Sequence, residues 1–224
     1  MPTLKRYANA AGFTDGLAGW WPLDEGSGTT AADRVGSATG TLVNNPTWVT
    51  GRFGTALSYS GSNYTEMPAA VLPVSSDYTI SFWLKYSSTS NWYIVLSQGS
   101  NWASVGMWII WLNTNGIGDV VANQLCVYME RGGLITKTGL TPNKWTHVVV
   151  KRGGTVMTMF INGVSAGTYN GPGQIENTNF RIARVGGYGG MFFLGSVDDV
   201  RIYNRALSDA QIKAMFFAKK AQYQ

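Results

Sequence analysis

Apolar and polar residues alternate in short runs along most of the chain, and Gly, Asn, Asp and Ser separate the runs. A period of two bounded by turn residues is the signature of half-buried strands. It predicts strands over residues 19–23, 56–59, 78–86, 93–98, 107–113, 124–130, 145–152, 156–161, 180–183 and 195–203. Asn162-Gly163, between Phe160-Ile161 and Val164-Ser165, predicts a type I′ hairpin. Helical spacing is confined to residues 207–221, where Ile212, Met215 and Phe216 share a face. Ser208 followed by Gln211 is a capping box. In the last predicted strand, alternation puts Asp198 with Val200 and Ile202, and Asp199 with Arg201 and Tyr203. Asp198 would then be buried, and a buried carboxylate needs a cation, a metal or several N–H donors.

The pattern shows no repeat and no linker, so one domain is expected, over residues 17–224. Residues 1–16 are polar, basic at Lys5-Arg6, and read as an N-terminal arm. Composition agrees with an all-β chain rich in tight turns. Glycine reaches 28 residues, hydrophobic residues 45%, and charged residues only 13%, about half the usual share. Net charge is +5, but the basic residues come in scattered pairs, so no nucleic-acid footprint is expected. That modest positive balance suits an acidic glycan or another anionic surface. No apolar run approaches the roughly 18 residues of a membrane span, and residues 1–16 lack the apolar core of a secretory signal. Cys126 is the one cysteine, which excludes an intrachain disulfide, and it reads as a strand thiol.

Two segments carry a resemblance. Residues 16–36, GLAGWWPLDEGSGTTAADRVG, and residues 193–212, FLGSVDDVRIYNRALSDAQI, resemble the opening and closing motifs of laminin-G-like domains in the concanavalin A-like lectin/glucanase superfamily. Inner segments match in order: GRFGTAL at 51–57, YTISFWLK at 78–85, WTHVV at 145–149 and FING at 160–163. The resemblance implies a two-sheet antiparallel jelly-roll sandwich with a short C-terminal helix. It says little about function, because one fold carries many activities. Many relatives hold one Ca²⁺ between an aspartate after the first strand and the aspartate of the closing strand. Those positions match Asp33 and Asp198 here. The usual asparagine is missing from residues 33–40, and Arg34 could supply the positive charge instead. A bound Ca²⁺ and a salt-bridged structural aspartate both remain open.

Catalytic chemistry is poorly represented. The E-x-D-x-x-E carboxylate set of the superfamily's glucanases is absent. Gly163-Val164-Ser165-Ala166-Gly167 has the nucleophile-elbow spacing, but no helix follows it. His147, the single histidine, lies in an apolar strand and matches a structural segment of the family. One His and one Cys cannot close a zinc site. Aromatic side chains offer a better recognition candidate. Trp92, Tyr93, Trp102, Trp108 and Trp111 fall within twenty residues, and flat rings stack on sugar faces. Trp108 and Trp111 have opposite parity, so at most one can face a groove, and the alternative is that these rings fill the core. The expectation is a non-catalytic lectin-like module. It would be displayed on a phage virion, dock on capsid or tail proteins through residues 1–16, and form a homo-oligomer there. The alternative is an extracellular carbohydrate-binding module that contacts surface glycans.

Overall fold

The protein is described here by a computed structural model covering residues 13–68, 71–72, 77–87, 92–100, 106–113, 123–129, 133–171, 175–187 and 192–217. Two antiparallel sheets face each other. The first holds β1 (Leu17–Trp21), β4 (Thr47–Thr50), β5 (Thr55–Ser60), β7 (Tyr78–Tyr86), β12 (Thr146–Gly153), β13 (Val156–Ile161), β14 (Val164–Asn170) and β16 (Leu194–Tyr203). The second holds β2 (Thr30–Ala31), β3 (Gly40–Val43), β6 (Tyr64–Glu66), β8 (Trp92–Gln98), β9 (Trp108–Asn113), β10 (Gln124–Met129), β11 (Gly133–Lys137) and β15 (Phe180–Ile182). The first sheet runs β14-β13-β12-β7-β16-β5-β4, with β1 also paired to β16, and the second runs β11-β10-β9-β8-β15-β6-β3-β2. The helix α1, Asp209–Phe217, lies on the outer face of the first sheet.

Alternation builds this architecture directly. Every second residue of β7 (Tyr78, Ile80, Phe82, Leu84) enters the core between the sheets, as do Leu125 and Val127 of β10. Trp21, Trp108 and Phe180 fill the middle of that core. The residues of opposite parity on β7 and β12 meet α1 instead. Val149, Phe160, Tyr203, Leu207, Ile212 and Met215 form a separate buried cluster there. The strands missed in the pattern, β2, β3, β4, β6 and β11, are mostly too short to show a period of two, and β14, of which the hairpin signal marks only Val164-Ser165, is a mostly exposed edge strand. The Asn162-Gly163 hairpin closes Ile161 on Val164 with φ of +51° and +76°. Ser208 Oγ accepts the Gln211 N–H at 3.2 Å while Gln211 Oε1 accepts the Ser208 N–H at 3.0 Å, which completes the capping box.

Two expectations need correction. The register of β16 against β7 slips between Asp198 and Arg201, and Asp199 takes φ +49°. This bulge inserts one residue and reverses parity. Val197, Val200 and Ile202 therefore face the core, and Asp198 does not share their face. The arm also ends earlier than residue 16. Phe13 packs on the α1 cluster, Asn204 N–H donates to Gly16 O at 2.8 Å, and Arg205 pairs with Asp15 at 3.1 Å. Residues 1–12 lie outside the described part.

Candidate functional site

The outer face of the first sheet carries most of the buried polar groups. His147 Nε2 lies 2.8 Å from Ser81 Oγ, the spacing of a nucleophile and its base. Access is missing. Both residues are 2% exposed, Trp83 lies 4.9 Å from the imidazole, and Phe216 of α1 covers it at 6.2 Å. Burial, and then the positive charges of Arg201 and Arg52, hold His147 down to about 3, so it stays neutral and a poor base. His147 Nδ1 has no orienting partner. Asp198 sits nearby at zero exposure. Its Oδ2 accepts the Phe53 N–H at 2.9 Å, and its Oδ1 has no partner. Burial, and then the charge of Asp199, push its carboxyl up to about 8, against the backbone N–H groups of Phe53 and Arg52. The GRFG turn makes the contact with Phe53 possible. A Cβ on Gly51 would stand 2.6 Å from Asp198 Oδ2, and one on Gly54, at φ +58°, would stand 2.0 Å from Asp24 Oδ1. Asp199 instead binds the Trp20 indole at 2.8 Å and Arg201 at 3.0 Å.

Asp33 is engaged elsewhere. Its Oδ1 accepts the N–H groups of Trp20, Val35 and Gly36 at 3.0 Å each, and its Oδ2 accepts that of Ala38 at 3.2 Å. Arg34 does not compensate it, and pairs with Glu25 at 3.7 Å. A calcium ion needs lone pairs that face the metal. Here backbone N–H groups occupy the Asp33 carboxylate, and Asp198 Oδ2 accepts the Phe53 N–H. The donor set does not fit an ion shared by Asp33 and Asp198. Among the described residues no group of three or more His, Cys, Asp or Glu could hold a metal.

The expected aromatic platform is not assembled among the described residues. Tyr93 and Trp108 point into the core, at 5% and zero exposure, and cannot stack on a sugar. Trp111 faces outward from the second sheet, as its opposite parity requires, but it is only 5% exposed. It packs with Ile94, Met107, Ile109, Cys126 and Val185, and Tyr128 lies half-buried against that cluster. Burial pushes the Cys126 thiol up to about 12, so it is an inert member of this cluster. Trp102 and the side chain of Trp92 lie outside the described part.

Open polar concavity occurs at one end of the sandwich. The end of β11, the start of β12 and the β13–β14 turn enclose a pocket of about 140 Å³. Trp145, Lys137, Lys144, Thr138, Thr141 and Asn162 line it, and no carboxylate does. Trp145 is half-buried, and Lys85 Nζ lies 5.0 Å from its ring centroid. Asn162 Oδ1 accepts the His147 N–H at 2.9 Å, which fixes the amide, and its NH₂ has no acceptor among the described residues. The pocket thus offers an aromatic ring, hydroxyls, an amide donor and ammonium groups. That combination recognises hydroxylated ligands.

The fold can now be set beside known proteins. A laminin-G family model, described as the concanavalin A-like lectin/glucanases superfamily, matches residues 59–213. The chain belongs to this superfamily. No curated protein matches it at a significant level of sequence similarity. Among solved structures it is similar to domain 4 of AbnA, a GH43 extracellular arabinanase from Geobacillus stearothermophilus, solved with arabinotriose. The TM-score is 0.70 at 19% identity, covering 89% of this chain and 97% of that domain. It is also similar to the binding domain of botulinum neurotoxin serotype D (TM-score 0.67, 16% identity, 90% and 51% covered). Trypanosoma rangeli sialidase gives a TM-score of 0.67 at 16% identity, covering 90% of this chain and 32% of the sialidase. The chain thus spans about half of the toxin domain and a third of the sialidase.

In this lectin-type sandwich the aromatic and polar residues that line an open pocket are not those that cluster in sequence. Trp145 falls in a segment whose pattern predicts a strand, and its neighbours come from the end of β11 (Lys137), the β11–β12 loop (Lys144) and the β13–β14 turn (Asn162). Arg184 was also overlooked. Its guanidinium lies 4.6 Å from the Tyr64 ring centroid and 5.6 Å from that of Phe192. The sequence signal for this pocket is slight: Lys137, Lys144 and Trp145 fall within nine residues.

Proposed function

We propose that the protein is a non-catalytic carbohydrate-binding module whose principal site is the Trp145 pocket. The observation that carries this reading is a half-buried tryptophan beside hydroxyl, amide and ammonium donors, in an open concavity of a lectin-type sandwich. A pocket of about 140 Å³ suits one sugar residue or the end of a chain. The similarity to an arabinanase domain solved with arabinotriose supports a saccharide as the ligand class. Support for a non-catalytic role comes from the absent glucanase carboxylate set and from the sealed Ser81–His147 pair. The module reading is preferred to particle display through residues 1–16, because Phe13 to Gly16 are held on the sandwich itself. A glycan array followed by affinity electrophoresis in soluble polysaccharides tests the proposal. Retardation by a glycan that Trp145→Ala removes, with an unchanged melting curve, is the expected result. Binding that is indifferent to Trp145, Lys137 and Lys144 would sink it.

A further inference from the structure

We propose that Arg184 forms a separate anion subsite on the outer face of the second sheet, which takes the carboxylate or sulfate of an acidic saccharide. For the nature of that carrier the proposal rests on the carbohydrate-binding reading. The anion site stands on Arg184 itself. Two arginines on this face make the contrast. Arg181 is fully used: its Nε donates to Glu66 Oε1 at 2.7 Å, and its Nη1 donates to Gly99 O at 3.2 Å and Asn179 O at 3.3 Å. Among the described residues Arg184 has no ion-pair or side-chain hydrogen-bond partner, and its Nε is buried without an acceptor. A buried donor left in that state is a standing cost, and a planar guanidinium fork answers a carboxylate or sulfate in bidentate fashion.

The surroundings hold that fork in place. Ser97 Oγ donates to Arg184 O at 2.6 Å, which anchors the backbone. The rings of Tyr64 and Phe192, 6.3 Å apart, both contact the guanidinium and remain half-buried. Phe192 bridges to Ile94, which pairs with Trp111, so the arginine stands at the end of an apolar line across the sheet. Rings beside a cation suit a pyranose carrying an acid group better than a free ion. The subsite is distinct from the Trp145 pocket. In the second sheet β6 and β11 are five strand positions apart, about 24 Å at the usual spacing.

Isothermal titration with oligogalacturonate, its methyl-esterified form and a heparin hexasaccharide tests the proposal, with sodium acetate and sodium sulfate as free-ion arms. The proteins are the native chain, Arg184→Gln, Arg184→Met and Trp145→Ala. The native chain should bind an acidic oligosaccharide at least about tenfold more tightly than the esterified form or either free ion. Both Arg184 variants should lose about that factor, while Arg184→Met melts no lower than the native chain. Trp145→Ala should keep acid binding, and if only the neutral-glycan arm fails, the pocket reading falls and Arg184 stands. Equal binding of native and Arg184 variants overturns the subsite, as does equal binding of esterified ligand. Binding of free ions alone, or of none of the probes, overturns it too.

Discussion

The outer face of the first sheet and the pocket end of the sandwich hold similar residue types and treat them oppositely. Under α1, Ser81 and His147 stand at a catalytic-looking distance, but the pair is sealed, and burial holds the histidine neutral. Around Trp145 and at Arg184, cations stand with no carboxylate partner among the described residues. Proximity of chemical groups therefore does not mark a site in this molecule. Access and unmet hydrogen-bonding capacity do. The sealed face should respond to substitution in stability, and the open regions in binding.

The largest effect is expected at Asp199. Its loss removes the carboxylate that binds both Arg201 Nε and the Trp20 indole N–H beneath the surface. Asp199→Ala should cost about 3–5 kcal/mol by urea unfolding, and binding by the folded fraction should not change. A cost below about 1 kcal/mol would end the view of this face as structural.

The pH profile of stability comes next, and its two groups oppose each other. His147 titrates lower in the folded chain, so the unfolded chain binds the extra proton, and stability falls as pH drops from about 6.5 towards about 3. Asp198 titrates higher in the folded chain, so its stabilising proton is lost as pH rises from about 4 to about 8. The slopes cancel between about pH 4 and 6.5. From 6.5 to 8 only Asp198 acts, and stability should fall by about 1.4 kcal/mol per pH unit. Asp198→Asn should flatten that limb. A limb that survives the substitution would assign the titration elsewhere.

On the open side, Trp145→Ala should weaken glycan binding by about 1–2 kcal/mol and shift the melting temperature little. A variant that unfolds instead would move Trp145 to the sealed class. The smallest effect is a chelator's: EDTA should leave the melting temperature unchanged, since Asp33 is satisfied by four N–H groups. A drop of several degrees would restore a metal to this loop.

The sandwich was legible because a period of two survives in every long strand, and the capping box and Asn-Gly turn are local signals. The closing strand misled because its bulge falls on Asp199, an aspartate at φ +49° with no glycine to announce it. Adjacent aspartates look the same in either register. The tryptophans misled for another reason. Alternation says that Trp108 and Trp111 face opposite ways, but not which way is the core. Trp145 and Arg184 gain their character from loops brought together by pairing of distant strands, which no window of sequence contains.

The neighbouring positions of β1 and β16 have one more consequence. Leu17 pairs with Tyr203, Gly16 receives the Asn204 N–H, and Phe13 packs against the α1 cluster, so the first strand and the closing strand with its helix lie side by side. A unit with adjoining ends is a cassette: it can be spliced into a surface loop of a host protein without prying that loop apart. Phe13 and α1 both lie on the outer face of the first sheet, so grafting through that face would leave Arg184, on the second sheet, facing away from the host.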